Sequence, residues 1–208
     1  MSINRRQLIL NVVALAASGG VAFAKEPFPV FESDAEKIDF KLRRREVKFD
    51  TKEPAGTIVI DSQRYHLFFV LGNGKAVRYG IGVGRRGSRW TGEAKIYRVA
   101  HWPTWHPTED QLQRNPKYEQ WVKDGFPGGP DNPLGARALY LLNDGKDNAY
   151  RIHGTPLATT IGEDTTSGCF RMLNIDVIDL ANRIKIGTRV VVLPRTKAKR
   201  NSLFGSVD

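Results

Sequence analysis

Two side chains in this sequence can do covalent chemistry together. Cys169 is the only cysteine, and His153 stands sixteen positions before it. Gly154 follows the histidine and Gly168 precedes the cysteine. A thiol, an imidazole and a glycine-permitted approach to the thiol are the parts of a cysteine nucleophile site. The thiolate is the attacking species, and a free cysteine titrates at about 8.5, so attack near neutrality needs a base. His153 is the candidate base. Its imidazole needs a third group to hold it in one orientation. No Asp or Asn stands out for that task, so the expected partner is a backbone carbonyl near Gly154.

Backbone N–H groups around Gly154, Ser167, Gly168 and Cys169 are candidates for orienting the site and for an oxyanion hole, where each donor supplies about 2.7–4 kcal/mol in known acyl-transfer sites. Arg171, two residues past the thiol, offers a bidentate fork for a substrate carboxylate; a structural ion pair is the rival role. Thr166 and Ser167 can hydrogen-bond the loop, and Thr166 is placed with Arg171 among the substrate-binding candidates. The other histidines are His66, His101 and His106. His66 alternates with apolar neighbours, which suits a structural role. His101 and His106 lack a third ligand at helical or strand spacing, so no metal is expected. No cofactor is expected either.

The elements that must position these groups are mainly β. From residue 47 the apolar period is two. Thr57 to Val70 gives two β-branched and aromatic runs around Asp61-Ser62-Gln63, and Gly72-Asn73-Gly74 is a second hairpin turn. Ala76–Val83 and Ala94–Ala100 read as further strands. The spaced glycines at 80, 82, 84 and 87 lack the strand–glycine–helix order of a phosphate loop. Residues 101–135 read as one excursion between strands, a lid or substrate wall. It opens with Trp102 and Trp105 in a proline-stiffened run, whose faces suit a groove wall. It then offers a short helix capped by Thr108 and limited by Pro116. Ala136–Asn143 and Ala149–His153 are strands, the second ending at the histidine. Asn174 is expected to cap a helix that buries Val177, Ile178, Ala181 and Ile184 and stops at Gly187, and Thr188–Leu193 closes the domain.

Residues 1–24 read as an export signal, either secretory or twin-arginine, with Arg5-Arg6, an apolar run and Ala22-Phe23-Ala24. The apolar run is too short for a membrane span. Residues 25–46 read as a linker or arm, 47–194 as one catalytic domain, and 195–208 as a basic tail. The formal net charge of +10 points to an anionic partner or a solvated basic surface, and no nucleic-acid motif accompanies it. A single cysteine excludes a disulfide framework.

The stretch His153-Gly154-Thr155, Ile161-Gly162 and Thr166-Ser167-Gly168-Cys169-Phe170-Arg171-Met172 resembles the catalytic motif of the L,D-transpeptidase (YkuD-type) family. Similar flanks include Gly56–Ile60, Gly80–Gly84, Asn132–Arg137, Asn174–Val177 and Gly187–Val190, so the resemblance covers about residues 50–194. Members often carry a histidine directly before the Gly-Cys pair, where this chain has Ser167. The resemblance implies a β-sandwich with a few short helices and a long lid loop. It also implies a periplasmic enzyme whose cysteine forms an acyl-enzyme with a peptidoglycan tetrapeptide stem, releases D-alanine and passes the acyl group to an amine, typically making a 3→3 crosslink. Water as acceptor would give a carboxypeptidase, and a protein lysine would give, or by hydrolysis undo, a link to a wall-anchored protein. Acylation by carbapenems is implied as well. A non-catalytic wall-binding module is the alternative of another class.

Overall fold

The computed structural model describes residues 26–85 and 90–195. The expected signal at 1–24 and the tail from 196 onward lie outside the described residues. The elements are β1 (Arg45–Lys48), β2 (Ile58–Asp61), β3 (His66–Gly72), β4 (Lys75–Gly80), β5 (Val83–Gly84), β6 (Gly92–His101), α1 (Glu109–Arg114), β7 (Arg137–Asn143), β8 (Lys146–His153), β9 (Asp164–Thr166), β10 (Phe170–Arg171), α2 (Asn174–Arg183) and β11 (Arg189–Val192), with four short 3₁₀ turns among the described residues. The fold is mainly β, and its helices are few and short.

Two hairpin turns show why the strands fall where they do. Asn73-Gly74 and Asp144-Gly145 both have positive φ at both positions, 51° and 69°, then 48° and 75°. That is the mirror-image turn whose twist matches paired strands, and Asn/Asp followed by Gly is the pair that adopts it. The turns set β3 against β4 and β7 against β8.

Nine strands form one mixed sheet in the order β1-β4-β3-β2-β11-β6-β7-β8-β10, and β5 with β9 makes a small parallel pair. β11 is the seam, running parallel to β2 and antiparallel to β6. Past β4 the chain reaches Gly82, which bridges Arg171 of β10. The last strand of the order therefore meets the continuation of β4, and the sheet curls over the main core. Ile58, Leu67, Tyr79, Ile96, Leu141, Ile152 and Phe170 meet there with Val177 and Leu180 of α2. The glycines at 80–84 lie in and between β4 and β5, and Gly87 lies outside the described residues.

Two expectations for α2 are corrected. Asn174 is inside the helix, not its cap; Leu173 occupies the cap position without a side-chain bond. The Asn174 Oδ1 instead accepts from the Ala136 N–H at 2.9 Å. The helix also ends at Arg183, ahead of Gly187, because Ile184 already has extended backbone.

The arm at 26–44 is laid against this body. Ile38 and Leu42 are buried with Ala158, Ile161 and Leu173. Glu26 binds Arg137 through two oxygens, with Oε2 3.0 Å from Nη1, and accepts from Trp102 Nε1 at 2.7 Å. The Arg137 side chain is only 5% exposed. The Arg137 hydrogen bond holds the Glu26 carboxyl below the usual carboxylate range, against the opposing pull of burial. Its stabilisation is therefore present above the ordinary glutamate pKa and lost as pH falls through the depressed value. We expect Glu26→Ala, which leaves a buried guanidinium short of its acceptor, to cost about 1–3 kcal/mol in urea unfolding at neutral pH, and to cost progressively less in acid.

Candidate active site

A short parallel ladder places the chemistry. Phe170 pairs with Ile152, and Arg171 with His153. Phe170 and Ile152 face the core. Because side chains alternate along a strand, Arg171 and His153 share the opposite face. One step back along both chains, Cys169 falls on that face beside Arg151.

His153 is buried. Its Nδ1 donates to the Gly154 carbonyl at 2.6 Å, which leaves the lone pair on Nε2. Gly154 has to be glycine here. A Cβ would stand 2.2 Å from Asn174 Oδ1, and one on Gly135 would stand 2.1 Å from the same oxygen. Asn174 thus locks two glycine turns against the end of β7. Burial, reinforced by the charges of Arg171 and Arg151, pushes His153 down to about 3, so the imidazole is neutral across the physiological range.

The Cys169 thiol faces the Ala149 carbonyl at 4.0 Å. Ala149 has φ +62°, beside a register shift in the β7–β8 ladder. Such strained, bulged positions re-aim backbone groups near functional sites. Burial pushes the thiol up, and the Arg151 backbone bond and the Arg151 and Arg171 charges pull against it. Among the described residues no hydrogen bond joins the thiol to the His153 ring. The resting pair is therefore a neutral thiol and a neutral imidazole.

Two expected oxyanion donors are already engaged. The Gly154 N–H donates to the Arg137 carbonyl at 3.0 Å, and the Gly168 N–H to Thr166 Oγ1 at 3.2 Å. Thr166 is buried, and its hydroxyl donates to the Cys169 carbonyl at 2.6 Å. It shapes the Cys169 loop from within and has little surface left to face a substrate. Gly168 supports that loop with φ +140°, a conformation that favours glycine.

The tryptophans are corrected in the same way. Trp102 is 9% exposed and packs on Phe28, and Trp105 is 6% exposed and packs on Tyr118. Trp102 is thus spent against the arm and Trp105 inside the lid, and neither walls a groove. Arg171 makes only a 3.4 Å contact with Thr165 Oγ1 and, among the described residues, no ion pair. Its structural ion-pair role falls away. Among the described residues no three His, Cys, Asp or Glu side chains converge at metal-ligating distance.

Three residues to which sequence reading gave no structural partner organise the lid. Asn132, fully buried, donates to the carbonyls of Pro103, Phe126 and Pro127 at 2.9–3.0 Å and accepts from the Leu134 N–H. Asp110 and Arg114 of α1 reach across to Ser167. The Ser167 hydroxyl donates to Asp110 Oδ2 at 3.0 Å and accepts from Arg114 Nη2 at 2.7 Å. Ser167 therefore ties the lid helix to the nucleophile loop. Only the Thr108 cap was legible there; the structure adds the reciprocal Gln111 bond that makes it a capping box.

A family model described as the L,D-transpeptidase catalytic domain, YkuD, matches residues 55–192. A curated relative from Escherichia coli K12, named as the probable L,D-transpeptidase YbiS, is 33% identical over 138 residues, covering 64% of this chain and 43% of its own. The chain thus spans less than half the length of the curated relatives first matched. A crystal structure from Brucella melitensis, described as a probable carnitine operon oxidoreductase, is 45% identical, with 78% of this chain and 99% of that chain covered and a TM-score of 0.51. The Ldtfm–avibactam carbamoyl enzyme is 15% identical, with 69% and 51% covered and a TM-score of 0.51, a likeness of fold alone.

We expect the rate of Cys169 alkylation by iodoacetamide to rise with a midpoint above the ordinary thiol value, and Arg171→Met to move that midpoint higher still by removing a cation that favours the thiolate. Ser167→Ala frees α1, so alkylation at fixed pH should speed up without a change in midpoint.

Proposed function

The chain belongs to the L,D-transpeptidase (YkuD) catalytic domain family, and from that premise we propose that it is a cysteine acyltransferase acting on peptidoglycan stem peptides. The observation that carries this reading is the β8–β10 ladder, which sets a lone thiol, a neutral imidazole with its Nε2 lone pair available, and an arginine with no ion pair among the described residues on one face.

In the proposed reaction Cys169 attacks the carbonyl of the third, diaminoacyl residue of a tetrapeptide stem. His153 Nε2 takes the thiol proton as the sulfur–carbon bond forms. With the thiol raised and the imidazole depressed, that transfer runs uphill on its own. It is drawn forward because negative charge passes from sulfur to the carbonyl oxygen during attack. The Ser167 and Cys169 N–H groups remain as donors for that oxygen, since those of Gly154 and Gly168 are engaged. His153 then protonates the departing amine of D-alanine, leaving a thioester. An acceptor amine attacks the thioester, His153 removes its proton, and the thiol is restored. With a second stem as acceptor the product is a 3→3 crosslink. Arg171 would hold a stem carboxylate, a role supported by its lack of an ion partner among the described residues.

The stem is an extracytoplasmic substrate, so residues 1–24 are proposed as the export signal. No helix among the described residues is long and apolar enough to cross a membrane.

Incubating the purified protein with disaccharide-tetrapeptide and reading products by mass spectrometry tests this directly. Crosslinked dimer with released D-alanine is expected. Tripeptide alone would convert the assignment to hydrolysis, and no turnover would favour a wall-binding module. Cys169→Ala should form no covalent carbapenem adduct by intact mass. His153→Ala should slow adduct formation by roughly 10²–10⁴-fold near neutrality, as loss of a general base does.

A further inference from the structure

The outer face at the β1–β4 end of the sheet carries a second concentration of charge. Register sets Arg45 directly opposite Arg78. On β4 the alternation sends Val77 and Tyr79 into the main core and leaves Ala76 and Arg78 on the other side. Arg78 is 4% exposed. Its Nε and Nη2 are buried with no protein acceptor in reach, and so are the Nε atoms of Arg43 and Arg45. Arg43 and Arg45 both lie over the ring of Phe40, at 5.7 and 5.6 Å from its centroid. That ring is itself largely exposed.

No carboxylate balances these charges among the described residues. The acids bracketing the cluster in sequence are taken: Asp39 pairs with Lys41 at 3.1 Å, and Glu46 with Lys75 at 2.8 Å. The one protein acceptor of Arg43 is the Glu36 carbonyl, 3.3 Å from Nη2. His66 lies on the same face of β3, edge-on to Phe68. Burial, then the charges of Arg78, Arg64 and Arg45, push it down to about 4, so it adds no positive charge near neutrality.

Like charges directly opposite across a ladder are destabilising, and a buried cation without a partner is more so. The arrangement is stable where an anion sits among the forks. Three guanidiniums can share the oxygens of a tetrahedral anion, whereas a carboxylate offers two oxygens to three forks. We propose that Arg43, Arg45 and Arg78 form a phosphate-binding site, with Arg78 as its floor and the two half-buried arginines as its mouth. None of the three contacts Cys169 or His153, so the site is separate from the acyl-transfer centre. The phosphate is either free or the headgroup of an anionic phospholipid, for which exposed Phe40 supplies an apolar neighbour.

Thermal unfolding of the purified protein in increasing inorganic phosphate, with ionic strength held fixed by sodium chloride, tests the site. A saturable Tm rise of several degrees is expected, because a ligand that binds only the folded state stabilises it. Arg45→Leu should raise Tm in phosphate-free buffer by removing the facing charge, and should abolish the phosphate-dependent rise. Cosedimentation with phosphatidylglycerol vesicles, against phosphatidylcholine vesicles, separates the sources: binding lost in Arg45→Leu assigns the headgroup, and a Tm response without vesicle binding assigns free phosphate. A Tm response that sodium chloride reproduces, one that survives in Arg45→Leu, or the absence of both phosphate response and vesicle binding would overturn the proposal.

Discussion

The parallel pairing of β10 with β8 is the constraint from which the rest of the site follows. Parallel neighbours cannot be joined by a tight turn; the chain must travel out and return in the same direction, which takes a dozen or more residues. The sixteen positions between His153 and Cys169 are that journey. On the way the chain makes a 3₁₀ turn at Ala158–Thr160 and the β9 strand, which pairs with β5. The Gly82–Arg171 bridge then holds β10 from its other side. A ladder of two registered pairs is weak alone, but it is clamped between β8 and the continuation of β4. The relative placement of thiol and imidazole is therefore a property of the sheet and not of a loop.

Around that ladder, buried polar side chains do the work that regular structure cannot. The excursion between β6 and β7 contains little sheet, so its backbone groups need other partners. Asn132 satisfies three carbonyls from one amide. Asn174 closes the turn behind His153. Glu26 reaches back from the arm to Arg137 and to Trp102, whose φ of 43° is unusual for a large residue. Trp102 opens the excursion, so the arm fixes the point where the lid leaves the sheet. Ser167 fastens the lid at its far side. The lid is thus held at its root by buried bonds and at its tip by exposed ones, and the tip is where opening costs least.

Much of this was legible in the sequence, for physical reasons. The period of two, the Asn-Gly turn and the strand running up to His153 follow from local chemistry, and they appear as read. The carbonyl partner of His153 was accessible too, because a glycine next to the ring leaves its backbone free to turn inward. What local reading missed depends on contacts distant in the chain. Asn174 looked like a helix cap because its type and place fit one, yet its partner is Ala136, 38 positions away. Trp102 and Trp105 looked like a groove wall because large aromatics beside prolines suit one. Their burial depends on Phe28 and Tyr118, which no spacing announces. The arm read as a linker from its prolines and charges, while Ile38 and Leu42 were too sparse to mark a docked face.

The packing around Cys169 bears on durability. The thiolate is the form that attacks peroxides and disulfides, and a thiol held above its ordinary pKa presents little of it at rest. In an oxidising compartment, a solitary cysteine with a depressed pKa would be consumed between turnovers with no neighbouring thiol to rescue it. Here the sulfur stays protonated beside the Ala149 carbonyl, and in the proposed reaction it would become reactive chiefly when a substrate carbonyl is present to receive the charge. In the extracytoplasmic setting proposed above, the same desolvation that holds the thiol above its ordinary value would protect it during long idle periods.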